Sequence, residues 1–223
     1  MAFEQAAKAA VLSVLIPGSG HLYLGKASRF FWFALALGLI YLIFVIGGLL
    51  STFAGMATYL ALGATLFIFG VVDSLWQGRK YGRKIRAYSS WYVIAAWALL
   101  LFVASQLIVA FREPVLGYAM FRIPTNSMAP TIVAGDCVLM DTRTKAAPSV
   151  NSIIAVSQPS LGGTVLRRVR SSPAPGIVEL VSDTPLSPQS DAGLDAVPAE
   201  LIAGRVTAIF WSPSRQKLGI KVQ

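Results

Sequence analysis

Few side chain types in this 223-residue chain could make or break bonds, so they can be taken one type at a time. There is one histidine, His21, and one cysteine, Cys137. With a single histidine, no Ser-His-Asp or Cys-His machinery is expected. A lone cysteine excludes an intrachain disulfide and a CxxC metal or redox site. Cys137 reads as core filler, and His21 as a hydrogen-bonded or solvated residue at a membrane interface rather than a metal ligand. Asp183, Asp191 and Asp195 form a loose acidic loop without the spacing of a Ca²⁺ site. No metal and no cofactor is expected. Serine chemistry remains. A serine hydroxyl is a poor nucleophile until a base takes its proton. Without a usable histidine that base has to be a lysine, kept as a neutral amine by burial.

One segment stands out as a place for such a serine: Phe121-Arg-Ile-Pro-Thr-Asn-Ser-Met-Ala-Pro-Thr-Ile-Val-Ala-Gly-Asp136. It resembles the signature of the bacterial type I signal peptidases, P-S-x-S-M-x-P-T-L-x-x-G-D. The match runs through Pro124, Ser127, Met128, Pro130, Thr131, Gly135 and Asp136. The resemblance covers about residues 112–212 and implies a small all-β domain of the Ser/Lys peptidase kind. Ser127 then takes the nucleophile position. Thr125 takes the place of a residue whose hydroxyl helps line the oxyanion hole beside the backbone N–H of the nucleophile. Preorganised donors of this kind contribute about 3–4 kcal/mol to a transition state. Gly135-Asp136 corresponds to a structural turn, and Met128 reads as core.

The second signature of that family, hydrophobic-K-R-V on a strand, corresponds to Val165-Leu-Arg-Arg-Val169. Arg168 matches the family arginine, and Arg167 stands where the general-base lysine belongs. A guanidinium stays cationic in a protein and cannot accept the proton. Lys145, in a loop after the first strand, is the nearby surrogate base. The last signature, G-D-N-x-x-x-S-x-D-S-R, is matched at Asp183. Its serine and arginine fall on Pro188 and Ala192, with Ser187, Ser190 and Asp191 near enough to substitute in part.

The elements that must position these residues begin in a lipid-like composition. Hydrophobic residues make up 55% and charged residues 13%, and the net charge is +9. Charged residues normally make up about a quarter of a soluble domain. Residues 1–112 hold nine Lys and Arg against two acids, and residues 113–223 hold ten against eight. The surplus therefore flanks apolar segments, and nucleic-acid binding is not expected. Three spans, about 30–50, 53–76 and 91–111, are each long enough to cross a hydrocarbon core of about 30 Å. The N-terminus does not read as a cleavable signal peptide. Residues 1–29, broken at Pro17-Gly-Ser-Gly20, read as an interfacial or re-entrant segment; PGSGHLYLGK weakly resembles a piece of the small TM2 membrane domains. The loop with Arg79, Lys80, Arg83, Lys84 and Arg86 reads as cytoplasmic by the positive-inside rule, with anionic-lipid binding as the alternative. The spans then place residues 112–223 outside the cytoplasmic membrane. Short β-rich runs follow at 137–142, 152–156, 164–170, 177–181, 206–211 and 218–222, with a hairpin turn at 171–176. The stretch 114–121 reads as an apolar segment that leans on the membrane.

The expected fold is therefore a helical transmembrane region of three spans followed by a small all-β domain like that of the signal peptidases. Three readings of its function follow. In the first the chain is a membrane-bound serine endopeptidase. It cleaves signal peptides from exported precursors after small residues, and the extended precursor pairs with strands beside Ser127. In the second it is a relative without turnover, which keeps the groove and binds or regulates membrane or secreted partners. In the third it is a structural module and the spans carry the function. The intact Ser127 loop favours the first, and Arg167 with the eroded last signature favours the second.

Overall fold

The computed structural model describes residues 2–83, 89–111, 113, 116–143, 149–158, 163–174, 176–184 and 196–222. The chain divides into two compact units, one of Met1–Gly47 with Ala57–Ala110 and one of Gly48–Met56 with Phe111–Gln223.

The first unit is helical. Helix α1 (Ala2–Leu15) and the short α2 (Ser19–Tyr23) are followed by α3 (Ala27–Ile46), α4 (Phe53–Tyr81) and α5 (Trp91–Phe111). Helices α3, α4 and α5 are each long and apolar enough to cross a membrane. Large apolar side chains such as Trp32, Ile46, Phe69, Trp91 and Phe102 lie exposed along them. A contiguous surface of this kind suits lipid and not water. Helices α1 and α2 pack together and are joined by a tight turn. Gly18 at φ +83° supplies the left-handed residue of that turn. A Cβ on Gly20 would stand 2.2 Å from the Ala9 carbonyl oxygen, so only glycine lets α2 lie this close to α1.

A polar knot ties these helices together. His21 Nε2 meets Asp73 Oδ2 at 2.9 Å, and Arg29 Nη1 donates to Asp73 Oδ1 at 2.7 Å. Ser13 and Ser74 hydroxyls meet at 3.2 Å, and Trp97 Nε1 donates to the Pro17 carbonyl at 2.8 Å. His21, expected to be hydrogen-bonded or solvated, is hydrogen-bonded and buried, with 2% of its surface exposed. Its partner lies 52 residues away. Arg29 is 46% exposed, so removing the carboxylate acts mainly by leaving buried His21 without its hydrogen-bond partner, at a cost of about 1–3 kcal/mol. Asp73→Ala is therefore expected to lower the unfolding midpoint of the helices in detergent, read by far-UV circular dichroism. An unchanged midpoint would show that the knot carries no stability.

The second unit is an eight-stranded antiparallel sheet: β1 (Tyr118–Arg122), β2 (Cys137–Asp141), β3 (Ile153–Gln158), β4 (Gly163–Ala174), β5 (Ile177–Val181), β6 (Ala196–Pro198), β7 (Ile202–Ser212) and β8 (Lys217–Lys221). Its order is β1-β2-β7-β3-β4-β5-β6, with β8 also on β7. The long β7 is the hub. Strand β2 lines one edge of it, while β3 takes residues 202–205 of the other edge and β8 takes residues 208–212. This fork lets the sheet curl around two cores. One holds Met128, Ile132, Val138, Ile153, Ala155 and Leu166 among others, and the second holds Ile154, Val156, Val169, Val178 and Leu180. Alternate residues of β3 enter alternate cores, which is why Ile153-Ile-Ala-Val156 is an unbroken apolar run.

Three sequence expectations are revised here. The stretch placed against the membrane, 114–121, runs from residue 118 into β1, which pairs with β2. The turn expected over 171–176 is shorter, because β4 stays paired to Ala174↔Ile177. Residues Gly48–Met56 belong to the sheet unit: Thr207 Oγ1 donates to the Ser51 carbonyl at 2.6 Å, and Phe53 packs on Phe210 with ring centroids 5.8 Å apart.

Candidate functional site

The Ser127 loop is the connection between β1 and β2, residues 123–136. Two backbone bonds close its neck: Ile123 N to the Asp136 carbonyl at 2.8 Å, and Gly135 N to the Ile123 carbonyl at 2.7 Å. Gly135 turns at φ +94°, a conformation that glycine adopts without steric penalty. Asp136 is fully buried and structural, as expected. Its Oδ1 accepts from Ser212 Oγ at 2.6 Å and its Oδ2 from Val133 N at 3.1 Å. Ile123, Met128 and Ile132 anchor the loop in the first core, so Met128 is core, as its apolar side chain suggested. Pro130 follows a cis peptide bond, and Arg215 Nη2 donates to the carbonyls of Pro130 and Thr131. Pinned in this way, the tip presents Ser127 half-buried beside Thr125, with their hydroxyl oxygens 3.3 Å apart.

A second set of bonds ties the loop to β4 and the segment after β5. Arg168 grips Asp183 in a fork, Nε to Oδ1 and Nη2 to Oδ2, both at 2.7 Å. Thr131 Oγ1 donates to Asp183 Oδ2 at 2.6 Å, and Arg168 Nη2 reaches Thr131 Oγ1 at 3.1 Å. Arg168 Nη1 donates to the Asn151 carbonyl at 2.7 Å. Burial pushes the Asp183 carboxyl up, but the hydrogen bonds from Arg168 and Thr131 and the arginine charge outweigh it, so the carboxyl titrates below its usual range. Thr184 completes the brace. Its N–H donates to the Ser127 carbonyl at 3.1 Å, and its hydroxyl reaches the carbonyls of Asn126 at 3.0 Å and Ala129 at 2.8 Å. Thr184 and Asn126, whose Oδ1 accepts from Ala134 N at 2.8 Å, are braces that sequence reasoning missed. The one available signal was the position of Thr184 next to Asp183.

Arg167 follows a different course from Arg168, because successive strand residues face opposite sides. It is 5% exposed, and its Nη1 donates to the Leu166 carbonyl at 2.8 Å. A groove of about 500 Å³ gathers Pro124, Thr125, Ser127, Arg167 and Arg122, with Thr164 to Leu166 along one wall. Of the residues singled out from the sequence, the structure thus brings Ser127, Thr125, Pro124 and Arg167 to one groove. Thr131, Arg168 and Asp183 lie behind the loop as its support. No lysine and no histidine lines the groove among the described residues. Lys145, Ser187, Pro188, Ser190, Asp191, Ala192 and Asp195 lie outside the described residues, as do Lys84 and Arg86 of the basic loop.

The wall of the groove has a further property. Strand β3 pairs with β4 from Gly163 to Arg168, but β5 takes the opposite edge only from Arg168 onward. Among the described residues, Thr164 to Leu166 therefore have a strand neighbour on one edge only. The edge of Thr164 to Leu166 that no described strand takes can accept an extended peptide as an added strand. Cys137, at the base of the loop, has its thiol pushed up by burial, against a smaller opposing pull from the Arg122 charge; this fits a packing role.

Among the described residues, fold and site define a protein with three helices able to cross a membrane and a curled antiparallel sheet that carries a braced serine loop beside strand β4. Comparison with protein-family models and with curated proteins found no match for this chain.

Proposed function

We propose that the chain is a membrane-anchored relative of the type I signal peptidases that receives extended segments of exported precursor proteins beside Ser127. In this reading α3, α4 and α5 cross the cytoplasmic membrane with the Arg79-Lys80-Arg83 end inside, and the sheet unit works on the outer face. The observation that carries it is the groove in which the Ser127 loop faces Thr164 to Leu166 of β4, an edge that no described strand takes. An incoming peptide hydrogen-bonds to that edge and places a carbonyl near Ser127 and Thr125. Small residues such as the Ala-x-Ala of precursors suit a groove of about 500 Å³ bounded by Thr164 to Leu166. Arg167 supplies a permanent cation where proton acceptance is needed, so the groove binds and holds its peptide without efficient turnover.

The endopeptidase reading has one specific support, the retained Ser127–Thr125 pair at 3.3 Å with its brace intact. One experiment addresses both readings. Full-length protein in detergent is titrated with a fluorescent precursor peptide carrying an Ala-x-Ala site, and cleavage is followed in parallel. Saturable binding is expected, weakened at least about ten-fold by Thr164→Trp, which fills the groove. Cleavage is expected to stay at the level of Ser127→Ala. Serine-dependent cleavage by the wild type would favour the endopeptidase reading, and absence of both binding and cleavage would sink the proposal.

A further inference from the structure

The helical unit holds more positive charge than its own acids can neutralise. Residues 1–112 contain two acids, Glu4 and Asp73, against nine Lys and Arg. Both acids are engaged: Glu4 with Lys8 at 2.7 Å, and Asp73 with Arg29 at 2.7 Å and His21 at 2.9 Å. Four other cations, Lys26, Arg79, Lys80 and Arg83, rest on aromatic rings instead. Lys26 Nζ lies 4.4 Å from the Tyr81 ring centre, and Lys80 Nζ lies 5.3 Å from the same ring and 4.9 Å from that of Trp76. The Arg83 guanidinium lies 4.3 Å from the Tyr23 ring and that of Arg79 lies 5.2 Å from Phe3. The rings come from α1, α2 and the last turns of α4, so three helices bring charge and aromatic surface together. Trp76, Tyr81 and Phe3 are about half or more exposed, so their pairs lie on the surface of the unit; Arg83 and Tyr23 are half-buried, and Arg83 Nε also donates to the Tyr23 carbonyl at 3.2 Å.

We propose that this collar of cations on aromatic rings is a binding surface for the headgroups of anionic phospholipids. A ring face holds a long Lys or Arg side chain in place while leaving its outer N–H groups turned to the surroundings. Trp and Tyr settle at the headgroup level of a bilayer, which sets the depth of the cations. Three of the four cations follow or sit in the last turn of α4, where the negative end of the helix favours them. A phosphate then completes a shell that, among the described residues of the unit, no carboxylate completes. Each cation at an anionic leaflet strengthens attachment by a factor of about five. Trp76, Arg79, Lys80 and Tyr81 are exposed, so this surface suits headgroups already concentrated in a leaflet and not a free phosphate ion.

The test uses the full chain in detergent, delipidated and re-exposed to mixed micelles of phosphatidylglycerol and phosphatidylcholine, with retained lipid counted by native mass spectrometry. Phosphatidylglycerol is expected to be retained at least about ten-fold over phosphatidylcholine at low salt, and the preference to shrink strongly near 0.5 M salt. Lys80→Gln with Arg83→Gln is expected to remove most of it, and Trp76→Leu with Tyr81→Leu to reduce it. Equal retention of the two lipids by the wild type would overturn the proposal without recourse to any variant. Wild-type preference in Lys80→Gln/Arg83→Gln, or displacement of the lipid by glycerol phosphate at equal concentration, would overturn it as well.

Discussion

Asp183→Ala is expected to destabilise the sheet unit by about 3 kcal/mol and to loosen the Ser127 loop at the same time. Arg168 and Asp183 are only 18% and 11% exposed, so the alanine variant would leave a guanidinium stranded in a poorly solvated position. Thr131 would lose its acceptor in the same step, and with it the loop would lose a link to the segment after β5, while Arg168, its link to β4, would lose the carboxylate that orients it. Amide hydrogen exchange of β4 and of residues 126–136 is the direct readout; both are expected to exchange faster together. Loss of protection in β4 alone would mean that the loop stands without its brace. The same pair sets an acid limit. The folded Asp183 carboxyl titrates below its unfolded value, so its contribution is complete above about pH 4–5 and is lost as pH falls through the depressed folded value. Acid unfolding of the wild type should therefore begin below about pH 4, and Asp183→Asn should flatten the pH dependence of stability in that range. A variant as steeply acid-sensitive as the wild type would place the titrating group elsewhere.

Much of the sheet was legible because burial on a given face writes itself into alternate residues or unbroken apolar runs. Ile153-Ile-Ala-Val156 announced a strand, and both of its faces proved buried. Strand β1 was not legible, since Tyr118-Ala-Met-Phe121 continues the apolar character of the span before it. Strand β6 has three residues, one of them Pro198, and offers no periodicity to read. Gly48–Met56 has the composition of the spans that flank it, and only the contacts of Ser51 and Phe53 show that it belongs with the sheet. The Ser127 loop was recognisable residue by residue, but its brace was not. Thr131 and Asp183 are 52 residues apart, and nothing local in either segment names the other. His21 and Asp73 pose the same problem in the helical unit. Each is a polar residue in apolar surroundings, and the cost of burying either alone is what draws the two together.

Arg167→Lys is expected to raise Ser127-dependent cleavage of an Ala-x-Ala precursor by at least about 100-fold over the wild type, the low end of what a positioned general base contributes. Position 167 is 5% exposed and lies in the groove that Ser127 also lines. A lysine there would be poorly hydrated, which disfavours its charged form and lowers its pKa toward neutrality. As a neutral amine it could take the serine proton during attack and return it to the leaving nitrogen. A guanidinium at the same point keeps its proton and can only donate. Because the neutral amine is the active form, the rate in Arg167→Lys should rise with pH until the lysine is deprotonated, then level off. Ser127→Ala placed on top of Arg167→Lys should return the rate to background, which separates repaired chemistry from a contaminating protease. Thr125→Val on the same background should cost about ten-fold or more if its hydroxyl helps to stabilise the oxyanion. Wild-type cleavage as fast as that of Arg167→Lys would mean that another group already removes the Ser127 proton. Lys145→Gln then becomes the decisive variant, because it removes the surrogate amine that the sequence places near this strand. If Arg167→Lys stays inert while peptide binding persists, a base alone does not complete the site, and the departures at Pro188 and Ala192 carry the deficit instead.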